Sequence, residues 1–152
     1  AGWMIIIFWF SNQPATESSE ISGTISYRLV EDTDEIFNRG LTTDQIGNIA
    51  GNIEYPIRKA AHMTEYAIFS IFVMIALIVD GIKGVRIPVI SAVIAIAFAA
   101  TDEFHQTFVP GRYGCVLDVL IDAAGSIIGL IIVYIIYKNV CKHKDEKCYN
   151  IN

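Results

Sequence analysis

The stretch VLDVLIDAAGSIIGLIIVYIIY, residues 116–137, decides the class of fold. It is long enough to cross a bilayer as a helix, because about 20 apolar residues span the hydrocarbon core. Two further apolar blocks of similar length lie at residues 60–79 and 87–109. The sequence therefore predicts an all-α, polytopic membrane helix bundle.

A fourth apolar block, WMIIIFWF at residues 3–10, is only about half as long as a membrane crossing. It lacks the basic start and the small-residue exit of a cleavable signal peptide. We expect it to be the outer half of a first transmembrane helix whose beginning is missing from this chain. The bundle would then have four transmembrane helices, the first one incomplete here.

Composition agrees with a membrane protein and excludes several other classes. Of the 152 residues, 53% are hydrophobic and 18% are charged, whereas a soluble domain carries about a quarter charged residues. The net charge of −5 and the lack of a basic stripe argue against a nucleic acid partner. The three cysteines are scattered and are expected to be free thiols.

Lysine and arginine in the short connections predict the orientation. Lys83 and Arg86 follow the apolar block at residues 60–79, and Lys138 begins a tail that contains three more lysines. We expect both termini on the cytoplasmic side of a bacterial cytoplasmic membrane. Residues 1–152 would form a single domain, with residues 11–59 as an extracytoplasmic loop and residues 138–152 as a cytoplasmic tail.

The secondary structure of that acidic loop is less clear from the sequence. Within it, residues 21–30 are compatible with either a short strand or an amphipathic helix.

With this topology, the polar and charged residues of the last three blocks lie near the outer face. They are Arg58, Lys59, His62, Glu65, Asp102, Glu103, His105, Gln106, Arg112, Asp118 and Asp122. A charged side chain that faces lipid at the bilayer centre costs at least about 2.5 kcal/mol. We therefore expect these groups to face one another, water or a ligand. Gly125 and Gly129 continue the face of the two aspartates and favour close helix contact.

Four sequence motifs resemble the VanZ-like family of small bacterial membrane proteins, named after a teicoplanin-resistance protein. They are WFSNQP at residues 9–14, RKAAHMTEY at 58–66, DEFHQTFVPGR at 102–112, and the Asp118, Asp122, Gly125 and Gly129 pattern. Asp122 departs from the family, which usually has asparagine there. The resemblance implies a cell-envelope protein linked to glycopeptide resistance, and it implies no particular reaction.

The favoured hypothesis is a site for the head group of a membrane lipid or a lipid-linked peptidoglycan precursor. Arginine binds phosphate and carboxylate through paired hydrogen bonds, so we expect an anion-binding set of Arg58, Lys59, Gln106 and Arg112. A second set would orient the ligand or transfer protons: His62, Glu65, Asp102, Glu103, His105, Asp118 and Asp122. Enzyme and binding protein both stay open.

Three alternatives remain. The charged residues can form a structural network, with Arg58 paired to Glu65, Arg112 to Asp118 and His105 to a carboxylate, in a protein that acts through an unknown protein partner. A divalent metal held by His62, Glu65, Glu103 and His105 is less favoured, because the spacings are common and three cations lie nearby; we expect no cofactor. A proton-coupled transporter is disfavoured, because the cytoplasmic halves of the helices lack ionisable residues.

Overall fold

The computed structural model describes the backbone of residues 2–149 and the side chains of residues 2–140. This part of the chain contains five helices and no strand. They are α1 (Gly2–Ser11), α2 (Ala15–Phe37), α3 (Thr43–Val79), α4 (Arg86–Gln106) and α5 (Val116–Tyr149). The all-α prediction is confirmed.

Three of these helices are long and apolar enough to cross a membrane. They are Thr43–Val79, Arg86–Gln106 and the Val116–Val140 part of α5. The first helix, α1, is apolar and only 10 residues long. The predicted bundle, with a short first helix before three full-length ones, is therefore confirmed.

Helix α3 begins far earlier than the apolar block at residue 60 indicates. Thr42 and Gln45 form a reciprocal capping box at its start, which satisfies backbone groups that a helix end leaves unpaired. At 1.5 Å per residue, its 37 residues span about 55 Å, against about 30 Å for a bilayer core. The amino-terminal part of α3 therefore extends beyond the membrane thickness.

The segment predicted as a loop, residues 11–59, is mostly helical. Helix α2 ends at Asn38, which adopts a left-handed conformation with φ 52°, and the chain then returns along α3. Val30 of α2 packs on Ile46 and Ala50 of α3. Of the two structures considered for residues 21–30, the helix is correct, and it forms one arm of a helical hairpin.

Helices α3 and α5 are in backbone contact. A Cβ atom added at Gly125 would collide with the backbone of Met63, and one at Gly129 would collide with the carbonyl of Ala67. Small residues permit this kind of approach between membrane helices. The close contact predicted from the two glycines is therefore present, and it fixes α5 against α3.

Helix α1 lies against α3 and α4. Its Ile7 is buried in a cluster with Tyr66 and Phe69, and the indole Nε1 of Trp3 donates a hydrogen bond of 2.9 Å to the backbone oxygen of Glu65. This packing brings Ser11, the buried last residue of α1, to the charged end of the bundle.

Three predictions concern the cysteines and the tail. Cys115 is exposed and has a free thiol, as expected. Helix α5 continues to Tyr149, so the backbone of most of the predicted tail is helical. Cys141, Cys148 and the side chains of the last lysines lie outside the described residues.

Candidate functional site

Charged residues of α3 and α5 meet at one end of the bundle. The Nζ atom of Lys59 lies 2.6 Å from Oδ1 of Asp118. One helical turn further along, Nδ1 of His62 lies 4.0 Å from Oδ1 of Asp122. Each contact joins a residue of α3 to a residue of α5, so residues far apart in the sequence come together as expected.

Arg112, in the connection between α4 and α5, ties that connection to the end of α1. Its Nε donates a hydrogen bond of 2.9 Å to the backbone oxygen of Gln13, and a second nitrogen donates to Oε1 of Gln106 at 3.1 Å. A third donates to the backbone oxygen of Phe10 at 3.4 Å. The predicted pairing of Arg112 with Asp118 is wrong, because Asp118 pairs with Lys59.

Partial burial also changes the electrostatics of Arg112. Desolvation of the guanidinium lowers the pKa of Arg112 below its ordinary value. The group keeps its charge at neutral pH, because an arginine does not lose its proton in proteins.

Gln106 links Arg112 to a buried aspartate. Its Nε2 donates to Oδ2 of Asp102 at 3.4 Å, while its Oε1 accepts from Arg112. Asp102 and Gln106 are both buried. The amide therefore connects the carboxyl group of Asp102, inside the bundle, to the guanidinium at its edge.

Arg58 pairs with Glu54 on the same helix, one turn earlier. The distance between the arginine NH2 and Oε1 of Glu54 is 2.6 Å, and the hydroxyl of Ser22 on α2 donates to the same carboxylate oxygen at 3.0 Å. The predicted pairing of Arg58 with Glu65 is therefore wrong. The i, i+4 spacing of Glu54 and Arg58 is a signal for this pair, but it applies only if the helix begins well before residue 60.

Glu103 and His105 have different surroundings. Oε2 of Glu103 accepts a hydrogen bond of 3.0 Å from the backbone N–H of Cys115, which anchors the chain just before α5. The ring of His105 packs on Phe8 of α1 with 4.4 Å between ring centroids. Neither residue lines the two cavities described below.

The candidate metal ligands are consequently separated: His62 and Glu65 line a cavity, whereas Glu103 and His105 contact Cys115 and Phe8. Among the side chains of residues 2–140, no three histidine, cysteine, aspartate or glutamate residues are placed to hold a metal ion.

Two cavities meet at Arg58, His62 and Arg112. The smaller has a volume of about 150 Å³ and is also lined by Lys59, Gln106, Tyr113 and Asp118. The larger, about 270 Å³, is also lined by Glu65 and by apolar residues of α1, α2 and α3. The shared wall is thus formed by two guanidinium groups and one imidazole.

Asp122 lies behind this wall. It is 1% exposed, and neither of its carboxylate oxygens has a hydrogen-bond partner in the part of the chain that the structure describes. It lines neither cavity, but His62, which faces it at 4.0 Å, lines both. The residue at which this chain departs from the VanZ-like pattern is therefore separated from the cavities by His62.

The predicted site residues thus fall into two groups. Those that line a cavity are Arg58, Lys59, His62, Glu65, Gln106, Arg112 and Asp118. Those that line neither cavity are Asp102, Glu103, His105 and Asp122. The residues that sequence reasoning missed are Glu54 and Ser22, together with the apolar side chains of α2 that line the larger cavity.

A short apolar helix, three membrane-length helices and a charged cluster at one end define a polytopic α-helical membrane protein. Residues 1–137 match the model of the VanZ/LLP1 family, and the chain belongs to this family. Membership supports a membrane protein linked to glycopeptide resistance. No curated protein matches the chain, and no solved structure matches it.

Proposed function

We propose that this protein binds the anionic head group of an envelope lipid or a lipid-linked peptidoglycan precursor, and that binding reduces the action of teicoplanin-type glycopeptides. The observation that carries the proposal is the wall shared by both cavities, formed by Arg58, His62 and Arg112. These residues come from α3 and from the connection between α4 and α5. Their convergence depends on the folded bundle.

The charge balance at this wall favours an anion. Among the described residues, Asp118 is the single acid that lines the smaller cavity, and it is already paired with Lys59. Arg58 is paired with Glu54, which lies outside the cavity lining, so Arg112 contributes the remaining net positive charge. Three nitrogens of Arg112 donate within the protein, and a guanidinium has five N–H groups. Donors therefore remain for a phosphate or carboxylate.

His62 is the group best placed to assist the bound anion. It lines both cavities, and the carboxylate of Asp122 lies behind its Nδ1. An imidazole oriented by a carboxylate can donate a hydrogen bond to an anion, and it can move a proton if the ligand is modified. We assign binding to the arginines and orientation or proton transfer to His62. Asp102 and Gln106 position Arg112.

The proposed orientation has the charged cluster facing outward and both termini in the cytoplasm. Its support is the positive-inside rule: Lys83, between α3 and α4, and Arg86, the first residue of α4, are both exposed. They follow the carboxyl end of α3, whereas Arg58 lies near the middle of that helix. A site on the outer side would meet envelope precursors at the membrane level where glycopeptides act.

The second candidate is a membrane factor that acts through a protein partner and uses its charges only to hold the helices together. The observation that favours it is that several of these groups already have partners within the chain: Lys59 with Asp118, and Glu103 with the Cys115 amide. Removing such a group would lower the amount of folded protein as much as it lowers resistance.

An experiment with Arg58→Gln separates the two candidates. The control is Arg28→Gln, which removes a positive charge from an exposed position on α2. We expect Arg58→Gln to lose teicoplanin resistance while its level in the membrane stays near normal, and Arg28→Gln to retain resistance. Full resistance in Arg58→Gln would contradict the proposal, and so would a loss of resistance that only follows a loss of protein.

A further inference from the structure

Helix α2 presents a row of apolar side chains outward. Ile21, Ile25 and Leu29 recur every four residues, so they lie on one side of the helix, and they are 44%, 52% and 51% exposed. The opposite side, with Ser22, Ser26 and Val30, is buried. An exposed apolar row beside a membrane-spanning helix favours contact with acyl chains over contact with water.

The larger cavity joins this row to the charged wall. Ile21 and Ile25 of α2, Ile57 and Ala61 of α3, and Phe10 of α1 form its apolar part. Arg58, His62, Glu65 and Arg112 form its polar end. We name this space the α2–α3 cleft. Its lining changes from apolar to cationic within one cavity, which matches a ligand that carries a hydrocarbon chain and an anion.

The size of the α2–α3 cleft limits the ligand. A volume of about 270 Å³ holds about nine groups of the size of a water molecule, at roughly 30 Å³ each. This is room for the first part of one hydrocarbon chain. It also places the chain directly beside the arginines.

We infer that the anion recognised at Arg58 and Arg112 is the phosphate of a membrane lipid, and that the start of its hydrocarbon chain lies in the α2–α3 cleft. The inference rests on the proposed function and narrows it. A carboxylate at the far end of a peptide stem is excluded as the main anchor, because it lies many bonds from any hydrocarbon chain. The ligand enters sideways from the bilayer.

Charge and geometry both support this assignment. Among the described residues, two arginines and one acid, Glu65, line the cleft, and Glu54, which pairs with Arg58, lies outside that lining. The lining therefore carries one net positive charge, which a monoanionic phosphate balances. Ile25 and Arg58 line the same cavity, so a chain and its phosphate contact both at once. Burial of one isoleucine side chain against a hydrocarbon chain contributes about tenfold in affinity.

Two positions on α2 give a matched test. Ile25→Ser removes an apolar side chain from the α2–α3 cleft. Leu29→Ser makes the same kind of change one turn further along, at equal exposure, in a different cavity that includes neither Arg58 nor Arg112. Both sites are on the surface, so neither change disrupts the core of the bundle.

The measurement is the binding of fluorescent phosphatidic acid to the full chain purified in a neutral, phosphate-free maltoside detergent, with inorganic phosphate as a competitor. We expect Ile25→Ser to weaken lipid binding about tenfold and Leu29→Ser to change it less than twofold. Inorganic phosphate should compete only weakly with the lipid, and equally against both variants.

The possible failures are distinguishable. If Ile25→Ser and Leu29→Ser bind the lipid equally, the chain does not lie in the α2–α3 cleft, and this inference is overturned while head-group binding stands. If inorganic phosphate binds as tightly as the lipid, the hydrocarbon chain contributes nothing to binding. This inference is then also overturned, while head-group binding stands. If Arg58→Gln binds the lipid as well as the wild type, the proposed function itself fails.

Discussion

Helix α3 packs against its two long neighbours in opposite ways. Toward α5 it is in backbone contact at Gly125 and Gly129. Toward α2 it is joined by the Ser22, Glu54 and Arg58 contacts, and beside them the α2–α3 cleft stays open. One side of α3 is therefore rigidly fixed and the other leaves room for a ligand. Changes on the α5 side should alter stability, and changes on the α2 side should alter binding.

The largest effect is expected for Gly125→Ala. The added methyl group would collide with the backbone of Met63, and a backbone cannot move aside as a flexible side chain can. Overpacking of this kind costs about 3 kcal/mol of folding free energy. The amount of folded protein in the membrane and its thermal unfolding temperature in detergent should both fall.

The matched control is Gly51→Ala, on the amino-terminal part of α3, where nothing lies within 4 Å of the added Cβ atom. This change should be neutral or stabilise the helix by up to about 1 kcal/mol. Equal unfolding temperatures for the two variants would show that α3 and α5 are not in backbone contact.

A smaller effect of opposite sign is expected for Asp122→Asn, also on the α5 side. The carboxylate of Asp122 is buried and neither oxygen accepts a hydrogen bond. An amide of nearly the same shape removes an uncompensated buried acid, which should raise stability by about 1 kcal/mol. Teicoplanin resistance should remain, because the arginines that bind the anion are unchanged and the amide oxygen of asparagine can take the place of the carboxylate oxygen behind Nδ1 of His62.

Thermal unfolding and the resistance assay together check this prediction. A variant that is more stable but sensitive to teicoplanin would mean that His62 needs the charge of Asp122 for its function. A less stable variant would mean that the Asp122 carboxylate has a stabilising partner within the bundle.

The parts of the fold that the sequence predicted follow from hydropathy and from spacing. The apolar blocks marked the membrane helices, and the position of their charged residues predicted that the charged ends meet. The Lys59–Asp118 and His62–Asp122 contacts confirm this convergence, although neither pair was predicted. The spacing of Gly125 and Gly129 predicted their contact with α3. In each case the prediction used only the hydropathy or the spacing of residues within one helix.

The sequence did not predict two kinds of feature: the polar part of a long helix, and hydrogen bonds that side chains donate to backbone oxygens. The amino-terminal part of α3 is polar, so hydropathy gave no reason to extend the helix back to Thr43, and the partner of Arg58 was missed. Arg112 donates to the backbone oxygens of Phe10 and Gln13, and every residue has such an oxygen. The α2–α3 cleft was missed as well, because it forms between two helices whose packing depends on these unpredicted contacts.

The most direct test of the account is the affinity of the purified full chain for phosphatidic acid in maltoside, compared between wild type, Arg58→Gln and the control Arg28→Gln. If Arg58 and Arg112 hold the lipid phosphate, Arg58→Gln should weaken binding at least tenfold, because a charged hydrogen bond of about 1.5–3 kcal/mol is lost. Arg28→Gln should bind as the wild type does. Equal affinity in all three proteins would contradict the account.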